Sequence, residues 1–149
     1  MNWILKKFNE LSVDELYAIL QLRNEIFIVE QNCIYPDMDN KDQPAMHLMC
    51  WKDDKLIAYT RLLPPGIGYQ NPSIGRVVTS PLIRKSGIGR ELMVRSIEQS
   101  EKLYGKKPIT LGAQLYLKTF YESLGFLAIG DVYLEDGIEH IEMTRNIAK

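Results

Sequence analysis

The stretch Arg84-Lys85-Ser86-Gly87-Ile88-Gly89 separates an apolar segment, residues 74–79, from a helical pattern that runs from residue 88 to about residue 104. A short glycine-containing loop therefore joins a buried strand to the start of a helix. The first turn of a helix carries free backbone N–H groups and the positive end of the helix dipole, so it binds anions. Gly87 and Gly89 keep side chains away from those amides, and Arg84 and Lys85 add positive charge. The loop predicts a diphosphate site.

Two common phosphate-binding motifs do not match this loop. No glycine begins a Walker-type motif, which ends in Gly-Lys followed by Ser or Thr. A dinucleotide-binding fingerprint needs a third glycine three residues after Gly89, where the chain has Leu92. The remaining pattern, Arg-x-x-Gly-x-Gly, resembles the coenzyme A loop of the GNAT acyltransferases. The alternative is an ordinary glycine-rich turn before a helix, and the order of the flanking elements favours the coenzyme loop.

Length and composition are typical of a globular protein. The 149 residues are enough for a single domain, residues 1–149, with a substantial core. The net charge of −1 does not indicate a general nucleic-acid or membrane-surface binder. No apolar run has the length of a membrane span, and the N-terminus has no signal-peptide pattern. Two cysteines are too few for a disulfide framework, so a reducing, cytoplasmic location is expected.

The order of predicted elements is β-α-ββ-β-α-β-α-ββ. The strands are predicted at residues 3–8, 46–51, 56–63, 74–79, 109–113, 126–135 and 138–145, and the helices at residues 12 to about 29, 88–104 and 116–124. Ser12 and Glu15 form a capping box, and Asp136-Gly137 is the strongest hairpin signal. Residues 31–45 are predicted to form a long polar loop. The fold class is α/β, with about seven mixed strands flanked by about four helices, the first helix being possibly split in two.

A second motif lies near the C-terminus, where Tyr121, Gly125 and Phe126 match the Tyr-x-x-x-Gly-Phe signature of the GNAT family. Residues 22–31, 74–78 and 132–141 are similar to segments of the ElaA-type GNAT proteins. The resemblance therefore spans nearly the whole chain. It implies the GNAT fold and acyl-CoA transfer, and it leaves the acceptor open.

The resemblance also implies roles for individual residues. The main chain of Val77, Val78 and Thr79 would pair with the pantetheine arm, on a splayed or bulged strand. The remaining coenzyme-binding residues would be Arg84, Lys85, Ser86, Gly87, Ile88, Gly89, Arg90 and Gln114. Tyr121 would act as the general acid that protonates the leaving thiolate. The alternative for Tyr121 is a buried tyrosine that packs between helix and sheet.

The general base is open among Glu30, His47 and His140, acting directly or through water. A helix-end carboxylate is the alternative for Glu30, and a hydrogen-bonded structural histidine is the alternative for the other two. His47 and Cys50 alone make a poor metal site, so no metal is expected.

Arg23 and Arg76 interrupt apolar surroundings, which indicates a carboxylate partner or an anionic ligand. Glu30 or Glu139 is the expected partner. The aspartates of the loop, Asp37, Asp39 and Asp42, are expected to form a solvated face or to attract a cationic acceptor. Residues 23–42 are expected to line the acceptor pocket.

The function that these observations predict is an N-acetyltransferase that moves an acetyl group from acetyl-CoA to a primary amine. The acceptor would be a small molecule or a peptide, with no nucleic acid or membrane involved, and the protein a monomer or homodimer. A GNAT-fold module that binds acyl-CoA as a sensor or regulator is the alternative. A nucleotide-binding protein is disfavoured by the failed motifs.

Overall fold

The computed structural model describes residues 1–147. Its strands are β1 (Asn2–Lys7), β2 (Met46–Lys52), β3 (Lys55–Leu63), β4 (Ser73–Thr79), β5 (Ile109–Gln114), β6 (Phe126–Glu135) and β7 (Ile138–Arg145). Its α-helices are α1 (Val13–Arg23), α2 (Ile88–Tyr104) and α3 (Lys118–Glu122). The seven strands form one sheet in the order β1-β2-β3-β4-β5-β7-β6, in which β4 and β5 are parallel and the other neighbours antiparallel. The predicted fold class is confirmed.

Helices cover both faces of the sheet around β3. Because side chains alternate along a strand, Tyr59 points to α1, while Thr60 points to α2 and shares a hydrogen bond with Ser96 over 2.7 Å. The core therefore forms one layer under α1, with Ile19 against Tyr59, and another under α2. No helix within residues 1–147 has the length and apolar character needed to cross a membrane.

The first helix changes its winding before it ends. Ser12 caps α1 by accepting from the Glu15 amide, and the Glu15 carboxylate accepts from the Ser12 amide, as the capping box predicts. After Arg23 the chain continues without a break as a π-helical segment, Asn24–Glu30. The described residues thus form three α-helices. The π-helical segment is the fourth helical element, because the N-terminal helix is split into an α part and a π part.

Two irregularities in β4 create an opening in the sheet. Tyr59 of β3 lies opposite Val78, but Arg61 lies opposite Gly75, so that two residues of β4 bulge against one of β3. The bulge residue Arg76 has a φ of 51°. On the other side of β4, Ser73 and Thr110 are the one register pair with β5 among residues 1–147. Beyond that pair the two parallel strands diverge.

Candidate active site

A cleft of about 960 Å³ opens between the diverging strands β4 and β5. Its walls come from both ends of the chain: the π-helical segment and the loop after it, the strand β4, the loop after β4, the end of β5, α3 and the β6–β7 turn. The cleft brings together many of the residues that the sequence singles out, including Glu30, Thr79, Arg84, Tyr121 and His140. The predicted coenzyme loop and the predicted general acid therefore face one space.

One end of this cleft is lined by residues that the sequence analysis assigns to coenzyme A. Val77, Val78 and Thr79 line it, and their backbone on the β5 side has no strand partner within the described chain. The loop after β4 then turns with Gly87 at a φ of 84°, in the left-handed region where glycine is least strained, and this residue caps α2. Gly89, in the first turn of α2, also lines the cleft, and a Cβ atom there would have nothing within 4 Å. Backbone amides at the start of α2 are thus open to an anion.

Tyr121 lies on α3 at the wall of the cleft and is only 4% exposed. Its ring packs edge-on against Phe120 and Phe126, with centroids 5.2 and 5.9 Å away. Burial raises the pKa of Tyr121, so the phenol keeps its proton at neutral pH. A protonated hydroxyl at this wall suits a proton donor, and the tight aromatic packing shows that the residue also contributes to the core.

Glu30 ends the π-helical segment at the mouth of the cleft. Its two carboxylate oxygens accept from the Nη1 and Nη2 atoms of Arg84, over 2.6 and 3.0 Å. The first residue of the predicted diphosphate loop is therefore paired with a candidate base. Gln31, the next residue, exchanges side-chain hydrogen bonds of 3.1 and 3.3 Å with Gln114 at the end of β5. These two contacts place the helix end against both sides of the opening.

His140 lies on β7, nearly buried, at the acceptor side of the cleft. Its Nδ1 atom is 2.8 Å from the Ile138 carbonyl oxygen, an acceptor, so Nδ1 is the donor in this contact and Nε2 is the other ring nitrogen. Nε2 lies 3.5 Å from the Glu135 carboxylate, and the ring stacks on Tyr133. This arrangement leaves His140 available as a base.

His47, the third candidate base, is not available. It is completely buried in β2 and both ring nitrogens have partners: the Tyr59 hydroxyl at 2.6 Å and the Asp42 carbonyl oxygen at 2.9 Å. Burial lowers the pKa of His47, which keeps the ring neutral. The structural alternative is therefore correct for this residue.

The partners expected for Arg23, which is buried, and Arg76, which is partly buried, were wrong. Arg23, which is 0% exposed, donates to Asp37 over 2.9 Å and to Asp42 over 2.8 Å, not to Glu30 or Glu139. Arg76 donates to Asp37 over 2.8 Å. The sequence did not predict these pairs. Asp37 and Arg76, for example, are far apart in the chain and are brought together only by the sheet.

The aspartates of the loop do not form a solvated face, and that prediction is wrong for the same reason. Arg61 donates to both oxygens of Asp39 over 2.8 and 2.9 Å and also to Asp42. Burial alone would raise the pKa of Asp39, but the hydrogen bonds and positive charge of Arg61 outweigh it and lower that pKa to about 2. The same balance, with Arg23 as the main partner, lowers the pKa of Asp42. Three guanidinium groups neutralise three carboxylates, so the loop offers no surplus negative charge.

We call this set of residues the Arg–Asp network. It consists of Arg23, Arg61, Arg76, Asp37, Asp39 and Asp42. The network orders the second half of the long polar loop, where Asp37, Asp39 and Asp42 lie. The Cys33 thiol attaches the same loop to the far wall of the cleft by donating to the Asp136 carbonyl oxygen over 3.2 Å.

One feature of the acceptor side was missed in the sequence. A Cβ atom on Gly112 would lie 2.9 Å from the Tyr133 hydroxyl and 3.0 Å from the Tyr69 hydroxyl. The two phenols therefore meet directly above a glycine of β5, and Tyr69 lines the cleft. An isolated glycine inside a strand is a known sign of close approach, so Gly112 was the available signal.

Comparisons with known proteins agree with this geometry. The family model for the acetyltransferase (GNAT) domain matches residues 15–147. The chain is 42% identical to protein ElaA of Escherichia coli K12 over 99% of this chain and 97% of that one, and a crystal structure of Escherichia coli ElaA superposes with a TM-score of 0.90. It is 44% identical to a UPF0039 protein of Schizosaccharomyces pombe, over 96% and 95% of the two chains. A crystal structure of an acyl-CoA N-acyltransferase from Pseudomonas aeruginosa is 44% identical, covers 97% of this chain and 99% of its own, and superposes with a TM-score of 0.92.

Proposed function

Because this chain belongs to the GNAT acetyltransferase family and to its ElaA-type members, we propose that it transfers an acetyl group from acetyl-CoA to a primary amine. Acyl transfer is the general chemistry that the family and the similar structures support. The choice of acetyl-CoA and of an amine acceptor is the specific part of the proposal.

One observation carries the proposal most: the open start of α2 and the Tyr121 ring line the same cleft. The start of α2 would hold a diphosphate, and Tyr121 would protonate the sulfur at the thioester end of the bound coenzyme. The unpaired edge of β4 between them offers backbone hydrogen bonds to the amides of a pantetheine arm. These three features support an acyl-CoA substrate rather than a mononucleotide.

The residues of the cleft would divide the reaction as follows. The acceptor nitrogen forms a bond to the thioester carbonyl carbon while the carbon–sulfur bond breaks. Tyr121 donates its proton to the departing sulfur and is reprotonated from solvent. A base takes the proton that an ammonium group must lose before it attacks. In total, one ammonium and one thioester give one amide, one thiol and one proton.

Two residues are positioned for the role of base, and different observations support each. His140 lines the cleft, and its Nδ1 atom is engaged by the Ile138 carbonyl oxygen, so Nε2 is the nitrogen that would take a proton. The Glu30 carboxylate lines the mouth of the cleft, although both of its oxygens accept hydrogen bonds from Arg84. Glu135 and Asp136 also line the cleft and outnumber Lys41, so a cationic acceptor is the complementary partner.

The coenzyme site is tested by changing charge without changing shape. Gly89→Asp should weaken acetyl-CoA binding at least tenfold in calorimetry, because the new carboxylate lies beside the diphosphate. Gly89→Asn has the same shape and serves as the matched control, with a much smaller effect. Equal affinity of the two variants would contradict the site.

The activity is tested by a panel of primary amines assayed for thiol release from acetyl-CoA. Release that depends on one class of amine is the expected result. Tight acetyl-CoA binding with no release from any amine would support the alternative, a module that senses acyl-CoA.

A further inference from the structure

The ion pair between Arg84 and Glu30 crosses the mouth of the cleft. Both side chains are partly exposed, at 38% and 42%, and both line the opening. The contact is bidentate, so the whole carboxylate of Glu30 is occupied by one guanidinium. Arg84 belongs to the loop that precedes α2, and Glu30 ends the π-helical segment on the other side of β4.

This pairing is incompatible with two roles proposed above. A diphosphate at the start of α2 attracts the guanidinium of Arg84, because Arg84 begins the same loop and has a long side chain. A base at Glu30 has to turn a carboxylate oxygen to the ammonium group, and the bidentate contact with Arg84 holds both oxygens in another direction. Both conflicts disappear together if Arg84 changes partner.

We propose that the coenzyme diphosphate and Glu30 compete for Arg84, so that coenzyme binding releases the Glu30 carboxylate into the acceptor side of the cleft. The inference rests on the proposed function, because it takes acetyl-CoA as the ligand. Arg84 is then a positioning residue: it holds Glu30 in the free enzyme and the diphosphate in the complex. Glu30 becomes able to accept a proton only when the acetyl donor is present.

The energetics allow such an exchange. Ion pairs between exposed side chains are weak because water and salt screen them, and one pair shifts an equilibrium by about two- to fivefold. A diphosphate carries more charge than one carboxylate and also gains the amides of the first turn of α2. Arg84 therefore changes partner when the coenzyme binds. Breaking the ion pair with Glu30 makes the affinity for the coenzyme slightly and measurably lower than it would be without Glu30.

The exchange also changes the charge that an acceptor meets. In the free enzyme, Arg84 neutralises Glu30, and Glu135 and Asp136 carry the surplus negative charge of the cleft wall. After the exchange, Glu30 adds to them. The acceptor side is thus most attractive to an ammonium group when the coenzyme is bound, which favours binding of the coenzyme before the amine.

Calorimetry of two acetyl donors separates this competition from a structural role. Glu30→Gln keeps the shape of the side chain and removes the competing charge. It should tighten the binding of acetyl-CoA by about two- to fivefold. The affinity for acetylpantetheine, which has no diphosphate, should be unchanged. The control is Glu101→Gln, which removes a partly exposed carboxylate paired with Arg145 near the other end of α2 and should change neither affinity.

Each other outcome has a definite meaning. Weaker acetyl-CoA binding by Glu30→Gln would overturn the exchange, because it would show that the pair closes over the bound coenzyme. An equal change for both donors would overturn it as well, because the diphosphate would then have no part. If the unaltered protein does not bind acetyl-CoA, the proposed function itself fails, and this result is distinct from the other two.

Discussion

The Nε atom of Arg76 donates to Asp37 Oδ1 over 2.8 Å. This contact ties the bulge of β4 to the loop after the first helix. Arg76 has a φ of 51°, a conformation that costs a residue with a Cβ atom about 1–2 kcal/mol. Its side chain also lies over the Tyr35 ring, 5.9 Å from the centroid. The strand that would hold the pantetheine arm and the loop beside the acceptor are therefore supported by the same residues.

The Arg–Asp network should be essential for stability. Asp42→Asn removes the charge shared by Arg23 and Arg61, which are 0% and 4% exposed. Leaving a buried guanidinium short of a partner should lower the free energy of unfolding by about 3 kcal/mol, measured by urea denaturation. Glu91→Gln, which neutralises the exposed pair with Arg95, is the matched control and should cost less than about 1 kcal/mol. Equal losses would show that the network is dispensable.

Acid should weaken the fold through Asp39. Its pKa is about 2 in the folded protein and lies near 4 in an unfolded chain. Because the folded pKa is depressed, the stabilisation is complete above pH 4 and is lost as the pH falls from about 4 to 2. Asp39 is partly exposed, so screening reduces its share to about 1–2 kcal/mol. Asp39→Asn should show a shallower decline of unfolding free energy over this interval, and an unchanged decline would assign it to other groups.

Tyr121 should separate catalysis from binding. If it protonates the leaving sulfur, Tyr121→Phe should reduce kcat roughly 100-fold while the Kd for acetyl-CoA changes little. Tyr104→Phe is the control, since the Tyr104 hydroxyl is buried without a hydrogen-bond partner among the described residues and has no place in the cleft. A parallel loss of stability and affinity in Tyr121→Phe would instead assign Tyr121 to packing.

Gly112 should tolerate a side chain only when the two phenols above it lose their oxygens. Gly112→Ala brings a Cβ atom within 3.0 Å of both the Tyr69 and Tyr133 hydroxyls and should cost about 1 kcal/mol of stability. In a protein that also carries Tyr69→Phe and Tyr133→Phe, the same change should cost much less. The free energies of unfolding of the four proteins form a double-mutant cycle. The same cost in both backgrounds would show that the hydroxyls do not limit this position.

Local signals in the sequence predicted most of the fold. The Ser12–Glu15 capping box fixed the start of α1, and Asp136-Gly137 turns between β6 and β7 with both residues at positive φ. Such signals act between neighbours in the chain, so they can be identified without knowing the fold. The resemblance of the segment before Gly87 to a known loop likewise placed the bulged strand and the start of α2.

The side-chain partners of the site were harder to predict because they depend on long-range packing. Arg23 and Asp42 are 19 positions apart, and nothing in the residue types distinguishes Asp42 from the nearer Glu30 as a partner. Arg84 and Glu30 are separated by 54 positions and meet only because the fold brings the loop before α2 to the end of the π-helical segment. The network and the ion pair at the cleft mouth therefore required the structure.

The single register pair Ser73–Thr110 has a mechanical consequence. Within the described residues, it makes the sheet two panels, β1–β4 and β5–β7, which are hinged at one corner. Rotation of one panel about that corner changes the width of the cleft between β4 and β5 without breaking a hydrogen bond inside either panel. The width of the cleft is then set by side-chain packing, chiefly in the core that contains Met93 and Leu111, and by the thickness of the bound ligand. A sheet built in this way would adjust to the bulk of a bound group by a rigid-body movement of the two panels.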